Sequence, residues 1–82
     1  MNNDRYRNYL FDNMRALIDR ARCARDNSKT FHDTLAAVAF QQGRALAYYE
    51  IISHLINQLD GFEIDRSSVG LDPSFDPDRD LA

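Results

Sequence analysis

The chain of 82 residues predicts an all-α fold: an antiparallel two-helix hairpin that dimerises into a four-helix bundle and carries an extended acidic C-terminal arm. Three observations lead there. Apolar residues recur at helical spacing in two long segments, about 4–26 and 30–60. One turn-like cluster, "DNSKT" at 26–30, separates them. The second segment carries two apolar stripes, and a single hairpin covers only one.

The first helix is set by Tyr6, Leu10, Met14, Leu17, Ala21 and Ala24, which recur at steps of four and three, with Phe11 and Ile18 widening the stripe. Asn2, Asn3 and Asp4 are candidate N-caps. A second series, Asp12, Arg15, Asp19, Arg22 and Asp26, runs along the other side as a ladder of alternating charge, expected to neutralise itself.

Thr30 followed by Asp33 reads as a capping box, with Ser28 as the alternative cap, so the second helix is expected from about residue 30. Phe31, Leu35, Val38, Gln42, Ala45, Tyr49, Ile52, Ile56 and Leu59 then alternate steps of four and three, a coiled-coil-like seam with one polar member. Gly61 is the expected stop, with Phe62 folding back on Ile56. Ala36, Phe40, Gly43, Ala47, Ile51 and Leu55 form the other stripe, and a short turn makes the helices antiparallel.

A chain this short struggles to bury enough apolar surface alone, and Cys23, the only cysteine, can form no internal bridge. Self-association is the expected remedy, so a homodimer is the expected state. Residues 1–29 carry seven basic and four acidic side chains, whereas residues 60–82 carry seven acidic and two basic. The ends should attract. Residues 62–82 contain Gly70, Pro73 and Pro77, yet Phe62, Ile64, Val69, Leu71, Phe75 and Leu81 punctuate them as anchors for an extended arm docked on the bundle of residues 1–61, with the arginines of the first helix as a further expected hold. With no signal-like or membrane-length apolar run and a lone thiol, the expected location is the cytoplasm, with no membrane partner.

Chemistry has few footholds. Arg44, Tyr48, Glu50 and His54 have helical i,i+4 spacing that would suit an acid/base or anion-binding set. Packing explains more: Tyr49 lies on the seam, Tyr48 beside it, and Gly43 suits close approach of two backbones. Glu50-x-x-x-His54 lacks the Glu-x-x-His spacing of bundle metal sites and a third ligand. Asp76, Asp78 and Asp80 mimic the start of a calcium loop that has neither its glycine nor its glutamate. Nine of the ten basic residues are arginine, but the net charge is −3 and no basic stripe emerges, so nucleic-acid binding through the first helix ranks second. No nucleophile triad or phosphate loop is present, and neither catalysis nor a cofactor or metal is expected. A metal or small-molecule site at the dimer interface ranks third.

Gly43, Arg44, Ala47, Tyr48, Tyr49, Glu50 and Ser53, followed by Asp76, Pro77, Asp78, Asp80 and Leu81, resemble a group of short uncharacterised bacterial and prophage helical-hairpin proteins. Their shared pattern is a GRxxAYYExxS helix and an acidic DPDxDL tail. The resemblance spans about half the chain and brings no activity with it. It implies a helical hairpin and draws attention to Arg44 and Glu50. With His54 these are the expected fasteners of the arm or of the partner chain, while Phe31, Leu35, Val38, Phe40, Gly43, Ala47, Tyr48, Tyr49, Ile52, Ile56 and Leu59 are the expected packing and interface residues. The expected role is a small non-enzymatic protein-protein interaction or regulatory module with an unidentified protein partner.

Overall fold

The first helical pattern folds as α1, Asn3–Ser28, in a computed structural model that describes residues 3–82. The expected cap at Asn2 lies outside the described residues. Ile18, Ala21 and Ala24 are buried, and Met14 and Leu17 pack beside them. Tyr6, at the start of the same stripe, stays exposed because no other element reaches it.

The turn differs from expectation. Thr30 does not cap the second helix; its hydroxyl donates to Asp26 O at 2.9 Å, and Ser28 Oγ donates to Arg25 O at 2.6 Å. A ring nitrogen of His32 lies 2.7 Å from Asn27 O. These side chains therefore satisfy the orphan carbonyls at the end of α1. Capping falls to Thr34, whose Oγ1 accepts from Ala37 N at 3.0 Å, and α2 runs Leu35–Gly61. Phe31 is consequently in the connection, 84% exposed, and Leu35 is 89% exposed, so the seam inside the chain begins only at Val38. Its polar member also shifts. Gln41 turns inward, its Oε1 buried without a hydrogen-bond partner among the described residues, while Gln42 is exposed.

At the other end α2 stops at Gly61 as expected, but the left-handed residue of its Schellman motif lies two positions further on. Glu63 N donates to Asp60 O at 3.1 Å and Ile64 N to Leu59 O at 2.8 Å. The left-handed position is taken by Glu63, φ 56°, and the apolar closure is made by Ile64 and Leu59; Phe62 is exposed.

The arm then runs back along the hairpin, and it is not extended. A 3-10 turn, Arg66–Val69, is followed by Gly70 at φ 83°. Asp72 Oδ1 accepts from both Ser74 N and Ser74 Oγ at 2.9 Å. "DPDRD" becomes a one-turn helix, α3, Pro77–Asp80, capped by Asp76, whose Oδ1 accepts from Asp78 N at 3.0 Å. The Asp80 carboxylate reaches back to Asp76 N at 2.9 Å.

Val69, Leu71, Phe75 and Leu81 of the arm join Ile18 and Ala21 of α1 and Ile52 and Ile56 of α2 in one buried cluster. Burying each large side chain is worth about 1.5–3 kcal/mol. Hairpin and arm thus share a core and fold as one unit.

Two backbone positions test this layout. A Cβ on Gly70 would stand 3.0 Å from Phe11 Cγ and 3.1 Å from Phe11 Cα, in a left-handed conformation as well. Gly70→Ala should therefore cost about 1–3 kcal/mol in a urea melt. Glu63→Gly relieves a left-handed glutamate and should stabilise the chain by about 0.5–1 kcal/mol in the same measurement.

Candidate interaction surface

A helix of 27 residues presents two long sides, and in α2 both are apolar. The inward side holds Val38, Ala45, Tyr48, Tyr49, Ile52, Ile56 and Leu59, all buried or half-buried. These tyrosines pack within their own chain. On the outward side Ala36, Ala39, Phe40, Gly43, Leu46, Ala47 and Ile51 are exposed, Phe40 at 66% and Ile51 at 49%. Nothing lies within 4 Å of a Cβ built on Gly43. No packing within the chain accounts for that glycine.

The apolar surface continues around the end of the hairpin. Leu10 and Met14 of α1, Leu55 and Leu59 of α2, and Phe62, Ile64 and Val69 enclose a groove of about 180 Å³ with almost no polar lining beyond Gln58. Such a continuous bare face is what partner surfaces bury.

Arg44, Glu50 and His54 do not fasten the arm. The Arg44 guanidinium lies 5.5 Å over the Tyr48 ring, while Glu50 and His54 stand exposed among the outward apolar residues. Glu50 and His54, an i,i+4 pair, stand on one side of α2, and the arm passes along the other. The fasteners are instead Arg25, which donates to Asp80 O, and Tyr49, whose hydroxyl donates to the Asp78 carboxylate. Arg22 adds a cation-π contact, 5.6 Å over the Phe75 ring. Arg66 grips Asp60 through two hydrogen bonds, at 3.2 and 2.7 Å, where the arm leaves α2.

The expected charge ladder does not neutralise itself. Among the described residues its only member in an ion pair is Asp26, bridged at 2.8 Å by Arg25, which lies outside the ladder. Arg15, Asp19 and Arg22 instead rim a depression of about 330 Å³ between α1 and the arm, floored by Ile18, Leu71 and Phe75 and bounded by Asp72. Its charges cancel in pairs, which gives it no preference for either sign of ligand. Cys23 is exposed, its Sγ 3.6 Å from Asn27 Nδ2. Among the described residues no three His, Cys, Asp or Glu side chains gather as a metal site requires, and no helix is long and apolar enough to cross a membrane.

The shifted carboxyls sit in the arm's own turns and where it leaves α2. The Arg79 guanidinium, followed by the Asp76 N–H, holds the Asp80 carboxyl at about 2. Ser74 N–H and hydroxyl lower Asp72, and Arg66 lowers Asp60. The hydrogen bond to Asp78, with that carboxylate's charge, raises the Tyr49 phenol.

Val69, Leu71, Phe75 and Leu81 anchor the arm as expected, whereas Phe62 and Ile64 stay exposed; the arginines of α1 were expected to help hold the arm, but neither Arg25 in particular nor Tyr49 stood out. Asp76 before Pro77 was a readable helix start, and Leu71 and Phe75 were readable as a helical-spaced pair. Nothing local marks which arginine or tyrosine the arm will meet.

No family model, curated protein or solved structure matches this chain. Fold and surface together define an all-α helical hairpin, closed on one side by its own arm and bare on the other.

The shifted groups set a pH window for the closure. Depressed carboxylates stabilise the docked arm above their ordinary range, and that contribution is lost as pH falls through their folded values. Near-UV circular dichroism of the tyrosines should hold at pH 5 and decline from about pH 4 towards about pH 2. The raised Tyr49 phenol acts with the opposite sign, stabilising below its ordinary value of about 10 and releasing the arm as pH rises beyond it. Tyr49→Phe should remove that alkaline loss.

Proposed function

We propose that the chain is a small non-enzymatic interaction protein that works as a homodimer, the outward faces of two α2 helices pairing to complete a four-helix bundle. The observation that carries this reading is area. A compact monomer of 9.5 kDa is expected to expose about 5,000 Å². This chain exposes 6041 Å², spread over an elongated body of 53 × 23 × 16 Å. The excess, roughly 1,000 Å², matches the ~800 Å² that each side of a stable interface buries.

The outward face has the composition for it. Phe40, Leu46 and Ile51 supply apolar bulk, while Ala36, Ala39, Gly43 and Ala47 let a second backbone come close. Arg44 and Glu50, which the sequence resemblance also singles out, lie on the same stretch of helix. The regulatory role is to present a fixed bundle, with its acidic arms and end grooves, to a protein partner. A lone exposed thiol suits the cytoplasm.

Light scattering across micromolar concentrations should return twice 9.5 kDa. Ala47→Glu, placed on the exposed stripe, should shift the mass towards the monomer by at least about ten-fold in Kd, since it sets a charge in an apolar seam. Far-ultraviolet circular dichroism of the variant should remain helical. A wild-type chain that stays monomeric would sink the proposal.

A further inference from the structure

We infer that the two α2 helices pair antiparallel, with Gly43 of one protomer level with Ala47 of the partner subunit. This rests on the homodimer proposed above and adds its direction and register.

The first ground is charge. At heptad spacing the outward seam reads Ala36, Phe40, Gly43, Ala47, Glu50 and His54, with uncharged residues at one end and titratable ones at the other. A parallel, in-register pair sets every residue against its own copy, so the two Glu50 carboxylates would share an apolar seam, as would the two His54 rings. Like charges brought together there repel strongly. Antiparallel pairing about the midpoint of Gly43 and Ala47 sets Glu50 beside Phe40 and His54 beside Ala36. The two carboxylates are then ten residues apart along the axis, roughly 15 Å.

The second ground is shape. The same midpoint brings the two smallest seam residues together where the helices are nearest, and Gly43 has open space around it. Phe40 and Ile51 are eleven residues apart, close to three full turns, so they share one edge of the face. A two-fold axis across an antiparallel pair returns like edges to each other, so Phe40 of each protomer meets Ile51 of the partner subunit. Both side chains are largely exposed in the single chain.

The third ground is cover. The arm's buried anchors pack around Ile52 and Ile56, in the C-terminal half of α2, and the N-terminal end around Leu35 is the barest part of the helix. Antiparallel pairing lays each bare half along the buttressed half of the other copy. Parallel pairing would leave bare end against bare end.

Disulfide trapping separates the arrangements. In a Cys23→Ser background, Ala36→Cys and His54→Cys chains are prepared singly, mixed, re-equilibrated and mildly oxidised. The antiparallel register puts residue 36 level with residue 54 of the other copy, and like residues eighteen positions, roughly 27 Å, apart. Since Cα atoms beyond about 7 Å cannot be bridged, the mixture should yield about ten-fold more cross-linked dimer than either variant alone. Cross-linking of each single variant with itself would overturn the register in favour of a parallel pair. A dimer by light scattering that traps in none of these combinations would also overturn it, with the homodimer intact. A monomer by light scattering would remove the homodimer itself.

Discussion

The docking of the arm into the groove between α1 and α2 is the contact on which the structure depends. Alone, the hairpin would join two helices over a core of Ile18, Ala21, Ala24, Ile52 and Ile56, too little to offset the ordering of so many residues. Val69, Leu71, Phe75 and Leu81 add a third layer where a third helix would sit in a bundle. Polar contacts then fix the arm's position. Arg25 holds the backbone of Asp80, Tyr49 holds Asp78, and the Asp60–Arg66 pair sets the exit from α2. Each acts at one point along a segment only a few residues wide, so the arm is positioned at both ends of its path.

That arrangement divides α2 into two functional sides. One side packs on α1 and, in its C-terminal half, on the chain's own tail. The other keeps its alanines, its glycine and three large apolar residues in the open. A single domain of this size would normally bury one such side and present polar groups on the other. Having apolar residues on both is the feature on which the proposed homodimer rests.

Much of this was legible in the sequence, for a physical reason: helical periodicity reports burial, and burial is what folds the chain. The two helices follow from spacing and their antiparallel packing from the short turn, while four of the arm's six expected anchors, Val69, Leu71, Phe75 and Leu81, are buried. The turn was harder, because Ser28, Thr30 and Thr34 are all competent caps and the choice depends on which of them the end of α1 consumes. The second helix does stop at Gly61, but its cap was not legible, because the left-handed residue is Glu63 and not the glycine. Arm fastening was the least legible. Arg44, Glu50 and His54 stood out for being polar in an apolar run, but residue type does not say on which side the arm will pass, and Arg25 resembles every other arginine of α1.

The reach of the Arg25–Asp80 contact, 55 residues along the chain, has a kinetic meaning. Helices and the hairpin turn form from near neighbours in microseconds, whereas bringing the arm back to α1 requires closing most of the chain into a loop. Because hairpin and arm share one core, that long-range closure belongs to a single cooperative transition, and its loop-closure entropy slows the folding of the whole chain.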